Sequence, residues 1–462
     1  MKRLFDNHPL GVVFTLVTLC LLPVLIGRDF TPSNELRYLS IADEAIANGN
    51  IFAFYNHGIP YADKPPLYLW IVTCCKLLLG RHCMFLLSLF SLIPAYITIA
   101  VMDKWLRLEH EVKALTRAAT ALTALTTVMF IGSAVVLRMD MLMTMFIVLA
   151  LFSFFKIYKG TGNVSREKWL LPVWIFMALF SKGPVGFFMP ILAITAFLIV
   201  KKEFRRFGEF LGWKAWLLMF GLFGLWILGV WLDGGREYIE NLLIHQTVGR
   251  AVNSFSHDKP FWYYLVHIWW VAAPWCLVAI PLIIIRWKAR KTDTEILFLT
   301  AVAVTFVMLS CFSAKLGIYL LPILPFLVYF IPVIQARTSR PAWMDKAVII
   351  GSGILFLLVF AGGLFIGRIN PYVGYGPVCD RIPSDIPVST LYVSRPENMD
   401  VYLGRDVTDY GKDPDSLLAV PRPSPSALVV KTDKIEEGTA LSGLISSGKQ
   451  SEHIGPYTLV IF

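Results

Sequence analysis

A chain of 462 residues, 56% apolar and 16% charged, with 33 Phe and 14 Trp and apolar segments recurring almost from end to end, argues against a soluble enzyme with a few buried helices. Backbone in hydrocarbon must satisfy its own hydrogen bonds, so long helix-compatible runs of this kind describe a polytopic α-helical membrane protein. The formal charge of +10 falls in short connectors between apolar runs, which reports topology and gives no ground for a nucleic-acid partner.

Met1 to Asn7 is short and basic, and Pro9 to Ile26 forms the first span. A signal peptide is the competing reading, but no small-residue cleavage site follows. Thr31 to Trp70 then carries Glu35, Arg37, Asp43, Glu44, His57, Asp63 and Lys64, too many charges for lipid. It reads as a structured surface loop, with Asn34 to Asn48 an amphipathic helix stopped by Gly49, and with Pro65 and Pro66 fixing an extended lead into the next hydrophobic stretch. Leu67 to Leu79 is short for a full crossing and is expected to be a partial helix, whereas Ser88 to Val101 supplies a good one.

The basic connectors are Asp103–Arg117, Lys156–Lys168, Lys201–Lys214, Arg286–Asp293 and Arg337–Lys346. Placing all of them in the cytoplasm yields further spans near 118–137, 139–155, 169–181, 184–199, 213–231, 263–285, 295–313, 317–334 and 347–366. The expected total is about 11 spans, or 13 if the region after Lys64 is more broken, with the N-terminus inside and the C-terminus outside. Residues 1–366 then form a membrane domain with external loops 27–66 and 232–262. Residues 367–462 are richer in Pro, Gly, Ser, Asp and Lys, with short apolar runs at Val388–Val393, Met399–Leu403, Ala427–Val430 and Tyr457–Ile461. These read as strands of a small soluble α/β domain of about 90 residues.

The seven cysteines show no metal or disulfide spacing, and no Gly-rich phosphate loop, HExxH or GxSxG pattern is present. What remains is a set of polar residues at the outer ends of spans. Arg138 and Asp140 lie in VVLRMDMLMT, Lys182 in FSKGPVG, Asp233, Arg236, Glu237, His257 and Lys259 in the loop 232–262, and Lys315 in FSAKLGIYLLPILP. One juxtamembrane Lys or Arg is most simply a snorkelling side chain. Clusters from separated parts of the chain on one face describe a cleft for an anionic substrate, with phosphate the best match. Lys64, Arg138, Lys182 and Lys315 are the candidate phosphate-binding groups, and Glu35 and Asp140 the candidates for orienting or deprotonating a hydroxyl. For Asp140, capping the following helix is the plain structural alternative.

NELRYLSIADEAI, GIPYADKPPLYLW, RMDMLMT, SKGPVG, HDKPFWYY and FSAKLGIYLLPILP, spread in order over residues 28–330, together resemble the bacterial integral-membrane glycosyltransferases of the GT-C fold related to aminoarabinose transferase and protein O-mannosyltransferases. The resemblance implies inverting transfer of a sugar from a polyprenyl-phosphate donor to a lipid A, glycan or protein acceptor on the periplasmic side of the bacterial inner membrane. It assigns no cofactor, although a divalent cation serves some branches. Lys64 matches the family's KPP lysine, Arg138 and Asp140 its second outward motif, His257 and Lys259 its HxKPFxYY element, and Lys315 and Tyr319 its SKxxxYLLP element. Arg37, Tyr38, Tyr61, His257, Lys259 and Tyr319 are the expected substrate-orienting residues. The family's acidic pair is Asn34-Glu35 here, so one carboxylate is missing and the identity of a base is open. A flippase or transporter of lipid-linked sugars would share the basic cleft and the spans, but it calls for inverted repeats or midplane helix breaks that the sequence does not show.

Overall fold

The computed structural model describes residues 2–242, 259–286, 288–289, 291–335, 342–421 and 423–462. The main helices are α1 (Pro9–Gly27), α2 (Arg37–Asn48), α3 (Leu67–Leu79), α4 (Met84–Glu109), α5 (Ala114–Leu125), α6 (Val128–Val135), α7 (Asp140–Lys159) and α8 (Val164–Lys182). They continue with α9 (Pro184–Val200), α10 (Trp213–Glu240), α11 (Tyr263–Val271), α12 (Cys276–Ile285), α13 (Asp293–Cys311), α14 (Leu324–Gln335) and α15 (Ala342–Leu364). Among the described residues seven helical stretches are long and apolar enough to cross a membrane, or eight when α5 and α6, bent by 76°, count as one broken span.

The other three stretches read as crossings are helical but shorter, more polar or interrupted. Helix α8 opens on Arg166, Glu167 and Lys168, α9 has 17 residues, and the segment 263–285 is divided between α11 and α12. The centre of the bundle is α7, whose residues from Asp140 to Val148 are all buried between α4, α8 and α9.

Two layers of charge mark the two ends of this bundle. At one end Asp293 receives Lys159 at 2.6 Å and Lys201 at 2.7 Å, and Lys159 also lies 3.6 Å from Glu109. Four of the basic connectors expected to share a side therefore meet there. The opposite end carries the first loop. Pro32–Leu36 forms a widened helical turn that runs into α2, and Gly49 at φ +75° ends that helix as the stop signal requires. Helix α3 stays beside this loop: His82, just past its end, lies 2.7 Å from Asp43 of α2, and Lys76 pairs with the same carboxylate. It is the partial helix expected, and it leaves Leu77, Leu78 and Leu79 exposed at its tip. A hairpin of β1 (Tyr55–Asn56) and β2 (Ile59–Pro60) completes the loop, which Asp233 of α10 anchors by accepting the amides of Ile51, Phe52 and Ala53 at 2.9, 2.7 and 2.7 Å.

The C-terminal part builds a mixed sheet from β3 (Val388–Leu391), β4 (Thr408–Asp409), β5 (Ala427–Lys431), β6 (Gln450–Ile454) and β7 (Tyr457–Ile461), in the order β4-β3-β5-β7-β6. Strand β3 is parallel to β4 and β5, and β7 is antiparallel to β5 and β6. Three of the four expected strands are present. The fourth, Met399–Leu403, is helical: Pro396 opens a tight turn and the Asp400 carboxylate accepts the Val401 amide at 2.7 Å, so the segment winds up before Gly404 stops it. Strand β6, with the polar sequence QSEHI, lies at the sheet edge and lacks the apolar alternation that marks a buried strand.

Helices α8 and α9 meet closely because Gly183, at φ +111°, turns the chain and Gly186 faces the α8 backbone. A Cβ at residue 186 would lie 2.2 Å from the Ala178 carbonyl oxygen, whereas one at Gly353 would meet nothing within 4 Å. Gly186→Ala should therefore destabilise the detergent-solubilised protein by about 1–3 kcal/mol through overpacking, and Gly353→Ala should not. Thermal melting of the two variants checks this.

Candidate active site

The site grows from the turn that joins the first span to α2. Thr31 donates its amide and hydroxyl to Glu35 Oε2 at 2.8 and 2.9 Å, closing the widened turn on its own carboxylate. Arg28 grips the same group with two parallel bonds of 2.7 Å, and the amide of Leu137 donates to Oε1 at 2.7 Å. Glu35 is fully buried, and these five donors occupy both of its oxygens. With both oxygens committed to these donors, the carboxylate serves to hold the turn in place. Its bond to Leu137 fixes the extended link between α6 and α7, which carries Arg138.

Asp140 is the first residue of α7 and is buried. Arg138 Nε donates to its Oδ2 at 3.1 Å and Lys182, the last residue of α8, pairs with its Oδ1. The Lys182 ammonium also lies 4.7 Å from the centre of the Tyr319 ring, a cation–π contact that joins the Gly317–Ile323 turn to the cluster. Asp140 does not cap its helix, whose N-cap is Met139 without a side-chain bond; it holds two cations side by side. Counted as charges, Arg28 balances Glu35, while Arg138 and Lys182 leave an excess of +1 over Asp140.

Tyr38 is buried against Tyr68, edge to face at 5.4 Å. Burial pushes its phenol up from the ordinary value, and the charges acting on it are Arg138, Asp140, Arg37 and Asp63. The first loop and the link between α6 and α7 are therefore brought together around this ring. Arg37 lies 5.6 Å over the Tyr61 ring and donates to Asn34 Oδ1 at 3.3 Å, so Asn34 orients an arginine. Tyr61 is buried and its carbonyl accepts the Tyr238 hydroxyl at 2.9 Å. Lys64 is half-buried in the turn before α3, flanked by buried Pro65 and Pro66.

Lys315 is placed differently from a surface phosphate ligand. It is buried, and its ammonium donates to the carbonyl of Lys259 at 3.0 Å and to that of Phe312, fastening the segment before α11 to the turn after α13. Lys259 itself is exposed. His257 lies outside the described residues. Arg28 was not singled out from sequence, because one arginine at the end of a span has the same signature as a snorkelling side chain. The regular seven-residue separation of Arg28 from Glu35 across a Pro-bounded turn was the available signal. Among the described residues no three His, Cys, Asp or Glu side chains converge as metal ligands, and Glu35 and Asp140 already serve cationic and amide partners. The divalent cation thus remains an expectation from the resemblance.

The bundle and its one-sided charged cluster define an integral-membrane protein of the GT-C fold. Residues 14–245, half of the chain, match the family described as dolichyl-phosphate-mannose-protein mannosyltransferase, and the chain belongs to that family. It is 26% identical over 377 residues to the undecaprenyl phosphate-alpha-4-amino-4-deoxy-L-arabinose arabinosyl transferase of Pectobacterium atrosepticum, a match covering 78% of this chain and 66% of that protein. With the corresponding transferase 1 of Pseudomonas fluorescens the identity is 25%, over 68% and 55% of the two chains. The chain thus spans just under two thirds of the length of the curated relatives it matches first, and less of others. In structure it resembles ArnT from Cupriavidus metallidurans bound to undecaprenyl phosphate, with a TM-score of 0.71, 16% identity and 98% of each chain covered. The oligosaccharyltransferase of Archaeoglobus fulgidus shares the fold more distantly, with a TM-score of 0.54 and 11% identity over 92% of this chain and 70% of that one.

The charge balance at Asp140 gives an asymmetric prediction. Asp140→Asn leaves two buried cations facing each other and should cost about 3–5 kcal/mol of stability. Lys182→Met leaves Asp140 paired with Arg138 and should cost less, and combining the two changes should recover part of the Asp140→Asn loss. Thermal denaturation of the three proteins in one detergent checks the order.

Proposed function

We propose that the protein transfers a sugar from a polyprenyl-phosphate-linked donor to a lipid, glycan or protein acceptor at the outer surface of a bacterial inner membrane. The observation that carries this reading is the excess cation held by Asp140 at the end of the bundle opposite the basic connectors. A site that keeps Arg138 and Lys182 beside one carboxylate in a largely buried setting has an unmet demand for an anion. The similar ArnT structure is described as bound to undecaprenyl phosphate, an anion of the fitting kind.

In the proposed reaction the acceptor oxygen attacks the anomeric carbon while the bond from that carbon to the phosphate oxygen breaks, with inversion; a phosphate acceptor is already anionic, and a hydroxyl acceptor gives up its proton to the released polyprenyl phosphate. Negative charge grows on the departing polyprenyl phosphate, and Arg138 and Lys64 are assigned to it because charge-assisted bonds strengthen as that charge develops. Lys182 keeps Asp140 neutralised and packs under Tyr319, which lines the sugar side together with Arg37, Tyr38 and Tyr61. Glu35 and Asp140 act by orientation, since their oxygens are already engaged. Lys315 and Lys259 form the opposite wall.

The positive-inside asymmetry of the connectors supports one sidedness for this reading. The N-terminus and the basic connectors lie in the cytoplasm and the C-terminal domain in the periplasm. With Cys74 and Cys311 replaced by Ser, cysteines introduced as His110→Cys and Arg205→Cys should resist a membrane-impermeant thiol reagent in intact cells. Tyr55→Cys and Val420→Cys should react, and the reverse pattern would overturn the assignment.

The chemical reading is tested in nanodiscs with a defined polyprenyl-phosphate-sugar donor and matched amounts of folded protein. Lys64→Ala should slow transfer by roughly two orders of magnitude, equivalent to about 3 kcal/mol of transition-state stabilisation, without lowering the melting temperature. Lys64→Arg should recover only part of the rate, because charge is kept but reach and donor geometry change. Near-normal transfer by Lys64→Ala at all donor concentrations would remove this lysine from the donor phosphate.

A further inference from the structure

The residue after Arg28 makes an unusually complete contact with the C-terminal domain. Asp29 Oδ2 accepts the Gly376 amide at 2.8 Å, its Oδ1 accepts the Tyr402 hydroxyl, and its own amide donates to Asn370 Oδ1 at 3.0 Å. Asn370 also donates to the Gly27 carbonyl at 2.8 Å, and Asn398 donates to the Pro32 carbonyl at 3.1 Å. The cradle admits Asp29 because it is built from glycines: a Cβ at Gly374 would lie 2.3 Å from Asp29 Oδ2, and one at Gly376 would lie 2.9 Å from it. Asn370, Gly376 and the segment from Asn398 to Tyr402 thus close on the six residues from Gly27 to Pro32.

That stretch also carries the grip on Glu35. Arg28 Nη1 donates to the Asp29 carbonyl at 3.1 Å as well as to Glu35, so the placement of the Asp29 peptide unit sets the direction of the guanidinium. Glu35 in turn receives the Leu137 amide, one residue before Arg138. A continuous series of bonds therefore runs from the glycine cradle through Asp29, Arg28 and Glu35 to the backbone of the phosphate-binding arginine.

We propose that Asp29 and Arg28 are positioning residues through which the docked C-terminal domain fixes the turn carrying Arg138. The domain then belongs to the catalytic unit, and its undocking lowers turnover without contact with the substrate. This deepens the transferase reading and rests on it for the consequence in turnover, while the mechanical link stands on the bonds alone. A geometric shift of the size of one lost bond matters because catalytic groups lose efficiency steeply when displaced.

The test pairs hydrogen exchange with kinetics on the full-length protein in nanodiscs, using Asp29→Asn, Arg28→Lys, their combination, and Tyr402→Phe as a milder variant should Asp29→Asn fail to fold. In Asp29→Asn or Tyr402→Phe the peptide containing the Leu137 amide should exchange about tenfold faster, the fold-change expected for one weakened hydrogen bond, while peptides from α13 keep the parent rate. With a polyprenyl-phosphate-sugar donor, kcat should fall about tenfold with KM within about twofold, the mark of misplaced chemistry rather than lost binding. The combined variant should be no slower than Arg28→Lys alone, because both changes act through one series of contacts. Unchanged exchange at Leu137, or penalties that multiply in the combined variant, would overturn the proposal. Faster Leu137 exchange in a protein whose parent form transfers no sugar from any donor would uphold the link and overturn the transferase reading instead.

Discussion

The buried carboxylate of Glu35 is the constraint on which the rest of this site depends. Removing a carboxylate from water is costly unless donors replace its hydration, and here a bidentate arginine, a hydroxyl and two amides do so. Because those donors come from the end of α1 with the turn that follows it, and from the link between α6 and α7, satisfying one side chain brings two stretches 102 residues apart into register. Arg138 and Asp140 follow directly on that fastened link, and Lys182 meets them from the end of α8.

The same logic separates the roles of the acidic residues. In a membrane surface site, an acid that is ringed by donors is a structural anchor, and one that is shared between two cations is an electrostatic spacer. Glu35 belongs to the first kind and Asp140 to the second. What the arrangement leaves in excess is positive charge, which is what a reaction that releases a phosphate requires. The opposite end of the bundle uses Asp293, Glu109 and two lysines in a different way, as a pin joining four connectors.

Much of this was open to inspection in the amino-acid order. Hydropathy and the basic connectors separate the two sides, the Gly49 stop delimits α2, and the motifs around Lys64, Arg138, Lys182 and Tyr319 point to a common face. Partners that are backbone groups escaped, since no residue type announces a carbonyl or amide far along the chain: Glu35 to Leu137, 102 residues apart, and Lys315 to Lys259, 56 apart, are both of this kind. Met399–Leu403 reads as a strand in sequence but is helical, because the tight turn opened at Pro396 and the bond from the Val401 amide to the Asp400 carboxylate outweigh a short apolar pattern. The break between α11 and α12, and the 76° bend between α5 and α6, are tertiary features laid over sequences that read as continuous apolar runs.

Helix α3, which Lys64 precedes, ends in three exposed leucines while its flank is tied to α2 through Asp43, so its far end is an apolar ledge. A ligand with a long hydrocarbon tail encounters such a ledge by lateral diffusion in one leaflet, without leaving the bilayer. Its effective concentration is then a mole fraction of membrane lipid, and the frequency of productive encounters scales with surface density. Dilution of the surrounding water leaves that frequency unchanged, whereas expansion of the bilayer with inert lipid lowers it in proportion.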